Sequence, residues 1–136
     1  MFGPPARLYV YFTYGMHFCM NVVTGPDGEG SAVLLRAAEP LEGVARMAAH
    51  RGLDDPRLLC AGPGRLCRAL AVARDQNGTD LIDGGELRIE RGAQVAPAEV
   101  LAGPRVGITV ATEQPWRFVV AGSRFLSRAA PKALPR

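Results

Sequence analysis

Tyr11, Tyr14, Asn21 and Arg36 are the side chains whose types and spacing could do chemistry. They lie in two stretches, "YVYFTYGMHFCMN" (9–21) and "VLLRA" (33–37). In the first, two apolar, aromatic-rich segments flank Tyr14-Gly15, a pair that reads as a turn. Tyr14 and Met16 then sit at a hairpin tip, where they face water. Scattered exposed apolar residues are ordinary, but a tip loaded with them usually touches something. An aromatic and a thioether on a tight turn make a rigid wedge, of the kind that enters a minor groove and separates base steps. An enzyme working on a base must extrude that base, and something must fill the gap it leaves. Tyr14 is flat, large and poor in rotamers, which suits that job. The plainer alternative is that it packs on a neighbouring loop.

Tyr11 and Asn21 could line a pocket, Tyr11 by stacking and Asn21 by hydrogen bonding. Equally, they read as a cross-strand aromatic and a strand-end turn residue. Arg36 follows four apolar residues; an arginine so placed is held by a carboxylate or a site more often than one on a polar strand. Gly62-Pro63-Gly64-Arg65 reads as a helix start. It offers free N–H groups and a cation to a phosphate, or it is a helix start and nothing more.

Other chemistries lack their signatures. The 136 residues contain no GxSxG, Walker loop, HExxH or dinucleotide fingerprint. "GPDGEG" reads as a hairpin turn rather than a phosphate loop. Cys19, Cys60 and Cys67 show no CxxC spacing, and neither His17 nor His50 completes a metal-ligand pattern. Reduced, mostly buried thiols are expected, with no metal and no cofactor. Hydrophobic residues make up 48% and charged ones 21%, as in a folded globular chain. No apolar run reaches membrane-spanning length and the N-terminus lacks a signal-peptide layout, so a cytoplasmic location is expected. The net charge of +3 is modest but uneven. Residues 1–114 hold eleven arginines against thirteen acids, whereas residues 115–136 hold five basic residues and no acid. Such an end can approach phosphates, or be a solvated tail.

These residues need strands to position them. Alternation predicts strands over 8–13, 17–23 and 31–37, joined as a meander. In the first, Leu8, Val10 and Phe12 point one way and Tyr9, Tyr11 and Thr13 the other. Helical spacing over 39–51 puts Leu41, Val44, Ala45 and Ala48 on one face, with Glu39 as its cap. A second helix over 61–73 buries Leu66, Ala69 and Leu70. Further strands are expected at 86–91, 105–111 and 116–121, and a frayed tail at 128–136. The fold class is α+β, a single domain over 1–136 with a mostly antiparallel sheet and a few flanking helices.

The stretches "MFGPPARLYVYFTYGMHFCMNVV", "VLLRAAEPLEG", "CAGPGRLCRALAV" and "PRVGI" followed by "PWRFVVAGS" resemble the alkyladenine (3-methyladenine) DNA glycosylase family. They cover nearly the whole chain. The resemblance implies a base-flipping hydrolase of base-excision repair that cleaves the N-glycosidic bond of alkylated or deaminated purines, such as 3-methyladenine and hypoxanthine, leaving an abasic site. Its partner would be double-stranded DNA, its state a monomer. By resemblance, Tyr14 is the intercalating wedge and Met16 its neighbour in the groove. Tyr11 stacks on the flipped base, and Asn21 screens against the guanine amino group. Cys19 and Leu34 lie near the pocket. Arg36 holds the attacking water with the main-chain carbonyl of Val106. Arg65, from the Gly62-Pro63-Gly64-Arg65 helix start, is the further expected DNA contact.

One departure bears on the chemistry. The family carries a Glu-Ala-Tyr motif, whose glutamate is the general base, and a pocket histidine. Neither is present in these residues, and His17 and His50 do not fall at matching positions. The resemblance therefore implies a chain that lacks the family's N-terminal section. A proton-transfer group contributes about 10²–10⁴-fold. A second reading follows, a catalytically inactive DNA-binding remnant that keeps the wedge. A third is a small β-rich domain unrelated to nucleic acid.

Overall fold

The computed structural model describes residues 1–83 and 85–132. Strands β1 (Leu8–Thr13), β2 (His17–Val23) and β3 (Ala32–Leu34) form a three-stranded antiparallel meander in that order. Helices α1 (Val44–Arg51), α2 (Pro56–Leu59) and α3 (Pro63–Ala69) follow. Strands β4 (Val100–Gly103) and β5 (Arg117–Val120) pair antiparallel as a separate two-stranded sheet. The class is α+β, as the sequence predicts, with the antiparallel pairing divided between two sheets. No helix among the described residues is long and apolar enough to cross a membrane.

The β1–β2 register runs from Leu8 opposite Val22 to Thr13 opposite His17. Period-two alternation then gives the hairpin two distinct faces. Leu8, Val10 and Met20 are buried on one of them, in a core with Leu59, Cys60, Leu66, Cys67 and Ala69 from the helical segment. Burying such aliphatic side chains is worth roughly 1.5–3 kcal/mol each, so the core fixes which face the helices cover. The outer side of β1 is closed by the segment after the helices: Gly78 N–H donates to Leu8 O, and Val10 N–H to the Asn77 side-chain oxygen at 2.9 Å. The "TGPDGEG" turn joins β2 to β3, with Thr24 N–H donating to Ser31 O.

Several expected elements are displaced. The third strand is shorter than 31–37. After Leu34 the chain leaves the ladder, with Leu35 N–H still donating to Met20 O, and Ala37 makes a bridge to Ala61. The first helix starts at Val44 rather than 39, because Gly43 at its N-cap is left-handed (φ 68°). Leu41 is consequently exposed, and Glu39 caps nothing. The second helix ends at Ala69, before the left-handed Ala71, leaving Leu70 partly exposed while Cys67 takes its place in the core. The short α2, started by Pro56 after an Asp55 cap, escaped the sequence reading. Residues 86–91 form no strand: Ile89 N–H donates to Leu81 O, but no strand among the described residues pairs with them. Residues 105–111 are bent by left-handed Gly107 and Ala111. The strand that pairs with β5 is instead "VLAG", 100–103. Of the expected tail, residues 128–132 carry no helix or strand, and 133–136 lie outside the described residues.

The start of α3 abuts the start of β2. A Cβ at Gly64 would stand 2.9 Å from His17 Cγ, 3.0 Å from its Cβ and 3.1 Å from its Nδ1. Overpacking costs typically about 1–3 kcal/mol, against the ~1 kcal/mol that alanine gains over glycine in a helix. Gly64→Ala is therefore expected to lower the denaturant midpoint, and by less in a His17→Ala background, where the ring contacts are gone. Equal losses in both backgrounds would show that His17 does not set this approach.

Candidate nucleic-acid interface

The hairpin tip is Tyr14-Gly15-Met16. Tyr14 (φ 53°) and Gly15 (φ 64°) are both left-handed, and Met16 N–H donates to Thr13 O at 3.1 Å. Positive φ at successive turn residues suits the twist of a hairpin, and glycine takes it freely. A tyrosine there is strained, by about 1–3 kcal/mol. The strained side chain is also wide open: Tyr14 is 83% exposed and Met16 69%. No neighbouring loop among the described residues covers the ring. Just behind the tip, Phe12 and Phe18 oppose each other with ring centroids 5.0 Å apart, bracing the two strands.

The face of the sheet opposite Leu8, Val10 and Met20 carries Tyr9, Tyr11, Cys19 and Asn21. Tyr11 is directly opposite Cys19, Tyr9 opposite Asn21, and Asn21 opposite Leu34 on β3. All five therefore share a face. Asn21 is buried, and its amide NH2 donates to Tyr9 O at 3.2 Å. The Tyr9 and Tyr11 rings lie 5.5 Å apart, tilted by 34°. Two residues past Leu34, Arg36 continues the same parity. It is near enough to Cys19 and Tyr11 for charge to act between them. Burial, and next the Arg117 guanidinium, pull the Arg36 guanidinium below the usual arginine range. Burial first, and then Cys19, push the Tyr11 phenol up. Burial also raises the Cys19 thiol, with Tyr11 and Arg36 acting the other way.

Arg36 and Leu34 line a cleft of about 840 Å³, whose other wall is β5 and the segment after it, including Arg117, Phe118 and Val120. Arg117 is 6% exposed, and its Nη2 donates to the carbonyls of Arg128 and Ala129, both at 2.9 Å. Val106 is half-buried in the connection between β4 and β5 and is not part of the cleft wall. Arg65 is exposed on α3, one residue from the Gly64–His17 contact, and donates to Ala61 O at 3.1 Å. The structure thus brings Tyr11, Cys19, Asn21 and Leu34 onto one face, with Arg36 close to Tyr11 and Cys19 and with Tyr14 and Met16 at its end. It leaves Val106 apart. Sequence reasoning missed Arg117 and Tyr9. Arg117 carried the signal used for Arg36, an arginine abutting an apolar run ("RFVV").

Comparison with known proteins gives a consistent result. The methylpurine-DNA glycosylase family model matches residues 1–124. A Rhodopseudomonas palustris protein named "Putative 3-methyladenine DNA glycosylase" is 51% identical over 132 residues, 97% of this chain and 63% of that protein. A Burkholderia lata protein of the same name is 51% identical over 129 residues, 93% of this chain and 62% of its own length. One from Methanoculleus marisnigri, again of that name, is 49% identical over 131 residues, covering 94% and 68%. The chain thus spans less than two thirds of the length of the first two.

The three thiols are all free and buried. Burial raises each above the ordinary thiol range, Cys67 to about 12. The thiolate is the nucleophile, so iodoacetamide at pH 8 should label the folded chain slowly and the denatured chain fast. The unfolded thiols lose protons near pH 9, where the folded ones keep theirs. Stability present below pH 9 is therefore lost between about pH 9 and 12. Rapid labelling of Cys19 in the folded state would show that Arg36 outweighs its burial.

Proposed function

The chain belongs to the methylpurine-DNA glycosylase family, and on that footing we propose that it serves a base-excision glycosylase acting on damaged purines in duplex DNA. One observation carries this reading: a single hairpin ends in the strained, exposed Tyr14 and bears Tyr11, Cys19 and Asn21 on one face. At about 3.3 Å per residue, Tyr11 stands roughly 10 Å behind Tyr14. That is the scale of one extruded nucleotide. Tyr14 enters the stack and holds the gap, with Met16 beside it in the groove. The extruded purine stacks on Tyr11. Asn21, fixed by its bond to Tyr9 O, meets the base edge and clashes with the amino group that marks guanine. Cys19 and Leu34 wall the pocket. Arg36 orients the water that attacks the sugar carbon and favours the charge of the departing base. The family resemblance gives the Val106 carbonyl as the second holder of that water, although Val106 does not line the cleft. Arg65, next to the tip, meets a backbone phosphate. 3-Methyladenine and hypoxanthine are the purines to test first.

Proton removal from the water needs a base. None of the thirteen acids here falls where the family has its general base, which favours a second reading: these residues alone bind DNA without turnover. The two separate in single-turnover release of 3-methyladenine or hypoxanthine from a duplex. The 136-residue chain is compared with a chimera that adds the part of the Rhodopseudomonas palustris relative it does not match. A deficit of about 10²–10⁴-fold for the shorter chain is expected. Equal rates would point to an acid already present, with Glu39→Gln the next variant.

Wedge function has its own measurement. Base–aromatic stacking is worth about 1–3 kcal/mol, so Tyr14→Ala should weaken binding to a damaged duplex by roughly 5- to 150-fold. Binding to the corresponding single strand, which has no gap to fill, should change less. Equal losses on both would refute the wedge.

A further inference from the structure

The cleft beside the proposed pocket holds positive charge that no ion pair among the described residues neutralises. Arg36, two residues past β3, and Arg117, on β5, both line it. Among the described residues the ion pairs are Arg7–Asp80, Arg57–Asp55 and Arg88–Glu90, and none involves the cleft arginines. Arg36 makes no hydrogen bond there, and its buried Nε is without a partner. The Nε of Arg117, a residue 94% removed from solvent, is also unpartnered, although its Nη2 is anchored on two carbonyls. Three arginines and one carboxylate, Glu39, line the cleft. Desolvated donors left unpaired cost about 1–3 kcal/mol, and more when charged. Two guanidinium groups lining one cleft, each with an unpartnered Nε and neither with a carboxylate partner among the described residues, are a poor arrangement for stability. They are a good one for an anion arriving from outside.

We propose that Arg36 and Arg117 together seat one phosphate-class oxyanion in this cleft. Each guanidinium presents several coplanar donors, so the pair wants an anion with oxygens on more than one side. A tetrahedral phosphate offers that, and a single carboxylate offers two oxygens in one plane. The anchoring of Arg117 on the Arg128 and Ala129 carbonyls fixes its fork before the ligand arrives, which lowers the ordering cost of binding. The five donors of Arg36 leave it able to orient a water at the same time. The occupant is a backbone phosphodiester of bound DNA or a free phosphate ion. The first rests on the glycosylase reading and the second does not.

The probe is inorganic phosphate added to the full chain at constant ionic strength, with melting temperature as the readout. A saturable rise with phosphate is expected, absent with sodium acetate. Arg36→Gln should weaken the apparent affinity at least about tenfold, the loss of one charge-assisted contact. Arg117→Lys, which keeps the charge and loses the fork, should do the same. Because Arg117 also holds two carbonyls, its variants can fail to fold; Arg36→Gln and the wild-type titration decide the matter without them. No rise above chloride overturns the proposal, as does an equal rise with acetate, which would make the pair a carboxylate seat. An unchanged response in Arg36→Gln would put the ion elsewhere and overturn it too.

The two occupants separate in duplex binding. If the natural ligand is a phosphodiester, free phosphate competes with an undamaged duplex, and Arg36→Gln lowers the salt slope by about one. If it is free phosphate, duplex affinity is indifferent to phosphate at constant ionic strength. Base release is scored separately. A chain that binds phosphate and never excises a base keeps this inference and loses the catalytic one, and the reverse result does the opposite.

Discussion

The register of the β1–β2 hairpin is the constraint on which the rest depends. Side chains alternate with period two, so a slip of one residue would exchange the faces of β1 or β2. Leu8 and Val10, or Met20, would leave the helical core, and Tyr11, or Cys19 and Asn21, would enter it. Three independent interactions resist the slip. Leu8, Val10 and Met20 are buried against the helical segment. The Asn77 side chain takes the Val10 N–H from a position 67 residues away. The Tyr14-Gly15 turn, with Phe12 on Phe18 behind it, closes the tip. Each acts on a different part of the same ladder. Together they hold the aromatic and amide groups of the second face at fixed spacing from Tyr14.

Strain and charge are placed where packing alone would not put them. Tyr14 keeps a left-handed backbone and a ring in water, a local cost that the rest of the fold carries. Arg36 and Arg117 are desolvated close together, and neither is in an ion pair among the described residues. The hydrogen bonds from Arg117 to Arg128 O and Ala129 O tie the C-terminal segment to β5. The basic stretch after residue 114 is in part structural, therefore, rather than only a solvated tail. Both features are departures from local optimality beside one hairpin, as expected where a surface is built to receive a ligand.

The helical segment acts as a support. Its packing against β2 is close enough that Gly64 admits no side chain beside His17. This contact puts Arg65 near the tip although 51 positions in sequence separate it from Tyr14. The position of that cation follows from how α3 meets the hairpin, and not from its spacing to any other charge.

Local rules were enough for β1 and β2, whose bounds match the alternation of "LYVYFT" and "HFCMNVV" residue for residue. They were enough as well for the Tyr14-Gly15 turn. Long, specific motifs carried the family. They failed where an element depends on a partner distant in sequence. "ELRIER" and "RVGITVA" alternate as well as true strands do, yet neither pairs with an edge, while the unremarkable "VLAG" does. Strand propensity is largely the fit to a neighbour, and the neighbour is not written in the segment. The meeting of Arg36 with Arg117 is of the same kind. Sequence supplied two arginines 81 positions apart, and only the approach of the two sheets made them one electrostatic unit, because burial and proximity are properties of the assembled chain.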